Sequence, residues 1–204
     1  MNGEVLPNGR LGLNTAHLCV DMQNLFDEGG PWATPWLKRV LPNVARLVDR
    51  DPRRTVFSRF IPPQRAADAP GRWRHYYQRW SQCTLENLAP EMIELLPALS
   101  RYAPPAAVID KPFYSPFYQS ALDRLLGDRS IDTLVISGAE TDVCVLAAVM
   151  DAVDRGYRVV LPEDAICSSS DATHDALVTL YHRRYGQQIE IATTQTILDH
   201  WPAS

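Results

Sequence analysis

Residues Thr133–Val149 read TLVISGAETDVCVLAAV, and the reading of the whole chain turns on them. The run Thr133–Ser137 is short and aliphatic, as a strand buried on both faces would be. Gly138 breaks the run. From Asp142 to Arg155 the apolar residues Val143, Leu146, Val149 and Val153 return at helical spacing. Strand, tight turn and apolar helix make half of a βαβ unit. The helix is apolar on nearly every face, which predicts that it is buried, and Ala147 and Ala148 would let it lie close to a sheet. A thiol in its first turn, Cys144, is therefore expected in the interior rather than on the surface.

The same alternation runs outward in both directions. Strands are expected at His17–Asp21, Thr55–Phe60, Ala106–Asp110, Thr133–Ser137, Tyr157–Leu161 and Ile189–Ala192. Helices are expected at Pro35–Asp49, Glu91–Leu99, Pro116–Leu126, Asp142–Arg155, Ala172–Tyr185 and Gln195–Trp201. Thr34 before Pro35 and Asp171 before Ala172 suit helix starts, while Gly127 and Gly156 suit helix ends. The pattern predicts an α/β fold with a mostly parallel sheet. With 204 residues the chain is long enough for one sizeable core and short for two, so a single domain over 1–204 is expected. The exception to the pattern is residues 61–88, where prolines, arginines and aromatics follow no clean period. A stretch of this kind reads as an insertion: a lid, a site wall or a subunit contact.

A formal net charge of -4 offers no general attraction for nucleic acid or anionic membranes, which favours a small-molecule partner. Cys19, Cys83, Cys144 and Cys167 share no CxxC spacing, and MNGEVLPNGRLGLN does not read as a secretory leader. A cytoplasmic protein with free thiols is the expectation. No window is apolar for the roughly 18 residues that a bilayer requires.

In an open parallel sheet, ligands bind beyond the carboxyl ends of the strands. Three polar residues fall there. Asp21 closes HLCVD, Lys111 follows AVID, and Cys144 lies on the turn after TLVISG. Only a thiolate attacks a carbonyl carbon, and a helix N-terminus and a nearby cation both favour the thiolate. The unpaired amides of a first helical turn can hold the oxyanion that results. Asp21 would take the thiol proton and pass it to a leaving amine, and Lys111 would hold negative charge between them. Each residue also has a plain reading, as a core thiol, a turn cap and a solvated lysine; their coincidence at three strand ends favours chemistry. Cys19 and Cys167 read as structural, and His174 and His182 as capping or packing residues.

The segments CVDMQNLF, DKPFYSPF and SGAETDVCV together resemble the isochorismatase-like cysteine hydrolases, in order and spacing, over essentially the whole chain; EDAICSSSDATHDAL continues the match. The resemblance implies a three-layer αβα sandwich with a six-stranded, mostly parallel, Rossmann-like sheet. It also implies an Asp21–Lys111–Cys144 triad, a cis peptide at Ala139–Glu140, and an oxyanion hole from the amides of Glu140 and Cys144. Nicotinamidase relatives bind a metal through an Asp-x-His arrangement after the second strand. TVFSRFIPPQ lacks it, so neither a metal nor an organic cofactor is expected.

The implied reaction is cysteine-dependent C–N cleavage of a small amide, ureido or carbamoyl compound through a thioester. The alternatives are a catalytically silent binding or assembly module and a hydrolase of a non-amide substrate. Gln23, Phe26, Trp80, Phe113 and Tyr114 are candidate substrate-binding residues by proximity to the motifs, and RWRHYYQRW could supply a site wall or a lid. By resemblance the chain is expected to form a dimer or tetramer.

Overall fold

In the computed structural model, which describes residues 5–202, every strand of the sheet is parallel to its neighbours. The strands are β1 Thr15–Val20, β2 Thr55–Phe60, β3 Ala107–Lys111, β4 Thr133–Ala139, β5 Arg158–Pro162, β6 Ile166–Cys167 and β7 Ile189–Ala192. They lie in the order β3-β2-β1-β4-β5-β7, with β6 beside β4. The helices are α1 Leu37–Arg50, α2 Gly71–Arg79, α3 Pro97–Ser100, α4 Leu122–Asp128, α5 Leu146–Asp154, α6 Asp171–Arg184 and α7 Thr194–His200.

This sheet has seven strands rather than the six expected. β5 pairs only with Thr133–Val135 of the seven-residue β4. The chain then turns back, and Ile166–Cys167 pairs with Gly138–Ala139 in its place. Two residues are too short to leave a periodicity, so the sequence carried no signal for β6.

Two apolar clusters occupy the two faces of the sheet. On one face Val40, Val44, Leu47 and Val48 of α1 meet Cys19, Phe57, Val135 and Val160, with Ile197 and Trp201 closing the end. On the other, Leu122, Val145, Ala148, Val149 and Ala152 meet Leu18, Val20, Ile136 and Leu161. The expectation of an all-round buried α5 needs correction: Leu146, Ala147, Met150 and Val153 are only half-buried. The alanines at zero exposure against the sheet are Ala148 and Ala152, one turn apart.

Other boundaries shifted for local reasons. The region expected to be a helix over Glu91–Leu99 is a 3-10 turn at Pro90–Ile93, a bridge from Leu95 to Gln23, and the short α3. Prolines at 90 and 97 interrupt it. The helix expected from Pro116 starts at Leu122, because Gln119 sits at φ +54, which a helix cannot pass through. Thr34 does not cap α1; its hydroxyl donates to the Trp32 carbonyl at 3.4 Å, and Trp36 stands at the N-cap. Ser170, not Asp171, caps α6 through the Thr173 amide, and Gly127 lies inside α4.

Residues 61–88 are not structureless. They carry α2, whose Trp73, Tyr76 and Tyr77, followed by Trp80, recur at i, i+3, i+4 and i+7. That is a helical period written in aromatics.

Gly138 allows β4 to pass β1. A Cβ there would lie 2.0 Å from the Val20 carbonyl oxygen, and its φ is +116.

Within the sheet, His17 is fully buried and its Nε2 lies 2.7 Å from Ser137 Oγ. Burial lowers its pKa to about 3, so the fold holds it neutral while the unfolded chain binds a proton below about pH 6.5. The folded pKa is the depressed one. Its contribution is therefore intact above pH 6.5 and is lost progressively as pH falls toward 3, at up to about 1.4 kcal/mol per pH unit. Urea unfolding at pH 7 and pH 5.5 is expected to show about 1 kcal/mol lost from this residue, and His17→Leu to flatten that slope. An equally steep slope in the variant would exclude His17 as its source.

Candidate active site

The strand order reverses direction between β1 and β4, the place where open parallel sheets form a crevice. Asp21 follows β1, and Cys144 follows β4 on a π-helical turn, Thr141–Val145, that runs into α5. Lys111 ends β3, two strands from β1, a separation of about 10 Å in the sheet. Its side chain spans that distance by passing over β2, with Nζ 5.0 Å from the Phe60 ring centroid.

The structure brings the three side chains together. Lys111 Nζ lies 2.7 Å from Asp21 Oδ2, 3.3 Å from Cys144 Sγ and 3.0 Å from the Phe113 carbonyl oxygen. Asp21 and Lys111 are at zero exposure and Cys144 at 5 %. Ser58 Oγ donates to Asp21 Oδ1 at 2.7 Å. Oδ2 has the ammonium's charge beside it, yet no donor aligned on it as a hydrogen bond.

Asp21 itself sits at φ +52, a conformation that costs a non-glycine residue about 1–3 kcal/mol. Its amide is held by the Ser58 carbonyl at 3.1 Å. The two bonds to Ser58 aim the carboxylate inward from the strand end.

Burial would pull the Lys111 ammonium down, but its neighbours, the Asp21 carboxylate before the Cys144 sulfur, outweigh it and the net direction is up. Burial pushes the Cys144 thiol up, with Lys111 opposing and Asp21 reinforcing. The resting site thus holds an ion pair and a neutral thiol.

The nucleophile turn is braced from α6 and from the loop between β6 and α6. Thr141 Oγ1 lies 2.9 Å from His174 Nδ1, Ser168 Oγ donates to Asp142 Oδ1 at 2.6 Å, and the Ser169 amide donates to Glu140 Oε2 at 2.8 Å. His174, expected as a capping or packing residue, holds the turn that carries the thiol. The amides of Val143 and Val145 both donate to the Glu140 carbonyl, and the peptide Ala139–Glu140 is cis.

A cavity of about 470 Å³ opens over the thiol. Of the candidate substrate-binding residues, Phe26, Trp80 and Tyr114 line it. Two candidates require correction. The Gln23 amide is fully buried and committed to the backbone: Oε1 accepts from the Phe60 amide at 2.7 Å, and Nε2 donates to the carbonyls of Phe60 and Ile93. It ties the end of β2 to the Pro90–Ile93 turn. The Phe113 ring turns away after Pro112 and packs on Trp73 and Tyr118 in a neighbouring cavity; only its carbonyl reaches the site.

Sequence reasoning missed Trp32, Phe60 and Ser169, which also line the cavity, beside Tyr76 of the RWRHYYQRW stretch offered as a site wall. Phe60 could have been found by the strand-end rule. Trp32 lies in a loop with no period to read.

A parallel sheet of this order, with a thiol, a carboxylate and an ammonium at its crevice, defines the class of open, doubly wound α/β proteins. The isochorismatase domain model matches residues 15–193, and the chain belongs to the isochorismatase family. It is 27% identical over 167 residues to the uncharacterized isochorismatase family protein YaaI of Bacillus subtilis, covering 81% of this chain and 87% of that one. Among solved structures it is similar to a cysteine hydrolase from Pseudomonas syringae pv. phaseolicola, with TM-score 0.75 and 24% identity over 98% of both chains. It is also similar to N-carbamoylsarcosine amidase from Thermoplasma acidophilum, with TM-score 0.72 and 25% identity over 88% of this chain and 96% of that one. The family includes amidohydrolases. Among the described residues no helix is long and apolar enough to cross a membrane.

Proposed function

We propose that this protein is a cysteine-dependent amidohydrolase that cleaves the C–N bond of a small amide, ureido or carbamoyl compound. The observation that carries the reading is the convergence of Lys111 Nζ on both Asp21 Oδ2 and Cys144 Sγ at the base of the cavity.

The geometry supports the following course. Asp21 Oδ2, which has no hydrogen-bond donor aligned on it, takes the thiol proton as the sulfur adds to the carbonyl carbon of the substrate. Because burial keeps the resting thiol neutral, proton transfer and attack are coupled rather than separate. The carbonyl electron pair moves onto oxygen, where the amides of Glu140 and Cys144 would receive it. Collapse of the adduct breaks the C–N bond, and Asp21 returns the proton to the departing nitrogen. A thioester on Cys144 remains. Water then adds to it, giving its proton to Asp21 and releasing the acid and the thiol. Lys111 holds the site close to neutral at each stage, offsetting the charge on Asp21 or on sulfur.

Ammonia release from a panel of small carboxamides, ureides and carbamoyl compounds tests the reading, with intact-mass analysis of acid-quenched turnover. The expected result is ammonia release together with a mass increase of one acyl group on the peptide holding Cys144, and none on those holding Cys19 or Cys167. Ammonia release of equal rate from the Cys144→Ala variant would overturn it.

A further inference from the structure

Six of the residues lining the cavity over Cys144 are aromatic: Phe26, Trp32, Phe60, Tyr76, Trp80 and Tyr114. Trp32 is the hub. Its ring centroid lies 6.1 Å from that of Phe26, 5.8 Å from Phe60, 6.1 Å from Tyr76 and 6.2 Å from Trp80. Trp32 and Phe60, and Trp32 and Trp80, meet edge to face, so these rings turn different sides toward the same space.

The charge of the lining has one sign. Glu140 is its carboxylate, and no lysine, arginine or histidine lines the cavity among the described residues. Ser169 N donates to Glu140 Oε2. The nearest cation, Lys111, lies beneath the cavity and is already committed to Asp21, Cys144 and the Phe113 carbonyl. The arginines of RWRHYYQRW are likewise absent from the lining, although Arg79 lies 5.9 Å from the centroid of the Trp80 ring.

A carboxylate entering this space would exchange its water for ring faces and a like charge, without a partner. A cation would exchange its water for the negative faces of the rings and for Glu140. Resting on the hydrolase reading above, we propose that the cavity selects small amides carrying a permanent or protonated ammonium group, with Glu140 and the rings around Trp32 as the specificity-determining residues. The cavity, at about 470 Å³, is within the size range of small-molecule sites.

Three probes of similar size separate the cases: (trimethylammonio)acetamide, its neutral isostere 3,3-dimethylbutanamide, and succinamate, which carries a carboxylate. Binding is read by calorimetry and tryptophan fluorescence in Cys144→Ala, and turnover by ammonia release in the parent chain. The cationic amide is expected to bind at least ~10-fold more tightly than its neutral isostere, and Glu140→Gln to narrow that gap to within ~3-fold. Trp80→Leu is expected to weaken the cation selectively, and near-ultraviolet circular dichroism checks that each variant is folded. Equal binding of the cation and its isostere, or stronger binding of succinamate, overturns the inference. If the cation binds preferentially but the parent releases no ammonia from any probe, the binding inference stands and the hydrolase reading fails. If the parent hydrolyses succinamate fastest, the hydrolase reading stands and the inference falls.

Discussion

Replacing Cys144 with alanine is expected to lower the rate of amide hydrolysis by about 10⁴-fold while leaving the fold intact. The thiol is small and nearly buried, and alanine removes one sulfur beside a cavity, where water can take its place. Cys83 is buried, with its thiol pushed up to about 11. Cys19 is held in the sheet at zero exposure, and burial raises its thiol strongly. Cys167 lies in β6 with its thiol pushed up to about 12. Oxyanion stabilisation and substrate binding would survive the substitution, so the residual rate should exceed that in water alone. Steady-state ammonia release in the two proteins measures the ratio; a loss of less than about tenfold would mean that the sulfur forms no covalent intermediate.

The second large effect falls on stability as well as on rate. Lys111→Met leaves Asp21 buried with only the Ser58 hydroxyl to meet its charge. Breaking one side of a buried ion pair costs about 3–5 kcal/mol, which in a chain of this size lowers Tm by about 10 °C or more. The rate should fall too, because nothing then balances the charge on Asp21 or sulfur as it moves between them. Removing both charges separates the two effects. Asp21→Asn with Lys111→Met is expected to recover most of the lost stability, since a pair replaced by neutral groups of similar shape is tolerated, yet to remain inactive. Calorimetric unfolding and ammonia release on the same three proteins check this. A Lys111→Met variant as stable as the parent would show that the ammonium is not paired in solution as it is in the structure.

The parts of the fold that were legible share a feature. Strands Thr55–Phe60 and Ile189–Ala192 fell where their β-branched and apolar residues placed them, although Ser58, Arg59 and Glu190 interrupt the apolar pattern. Helix α5 was legible for the opposite reason, its period, although the degree of its burial was not. Three of its seven apolar residues are buried against the sheet, and the other four are half-buried, a distinction that composition does not encode.

Short-range chemistry failed where a backbone bond or a single dihedral overrode propensity. The positive φ of Gln119 delayed α4, and the Leu95–Gln23 bridge replaced a helix. The same bridge region explains Gln23. Next to a motif it looked like a ligand-binding amide, but the end of β2 and the Pro90–Ile93 turn consume its hydrogen-bonding capacity.

By itself, then, the order of residues determined that this chain builds a parallel sheet with helices on both sides, and that a carboxylate, an ammonium and a thiol stand at the ends of three of its strands. Those features are local: each follows from a few neighbouring residues and the period they keep. Only the tertiary structure decided that Lys111 crosses a strand to reach both partners, that His174 braces the nucleophile turn, and that rings from four separate segments line one cavity with a single carboxylate. Those features depend on how strands are ordered and loops are laid over them, and contacts between residues distant in the chain are set by packing of the whole core rather than by any window of sequence.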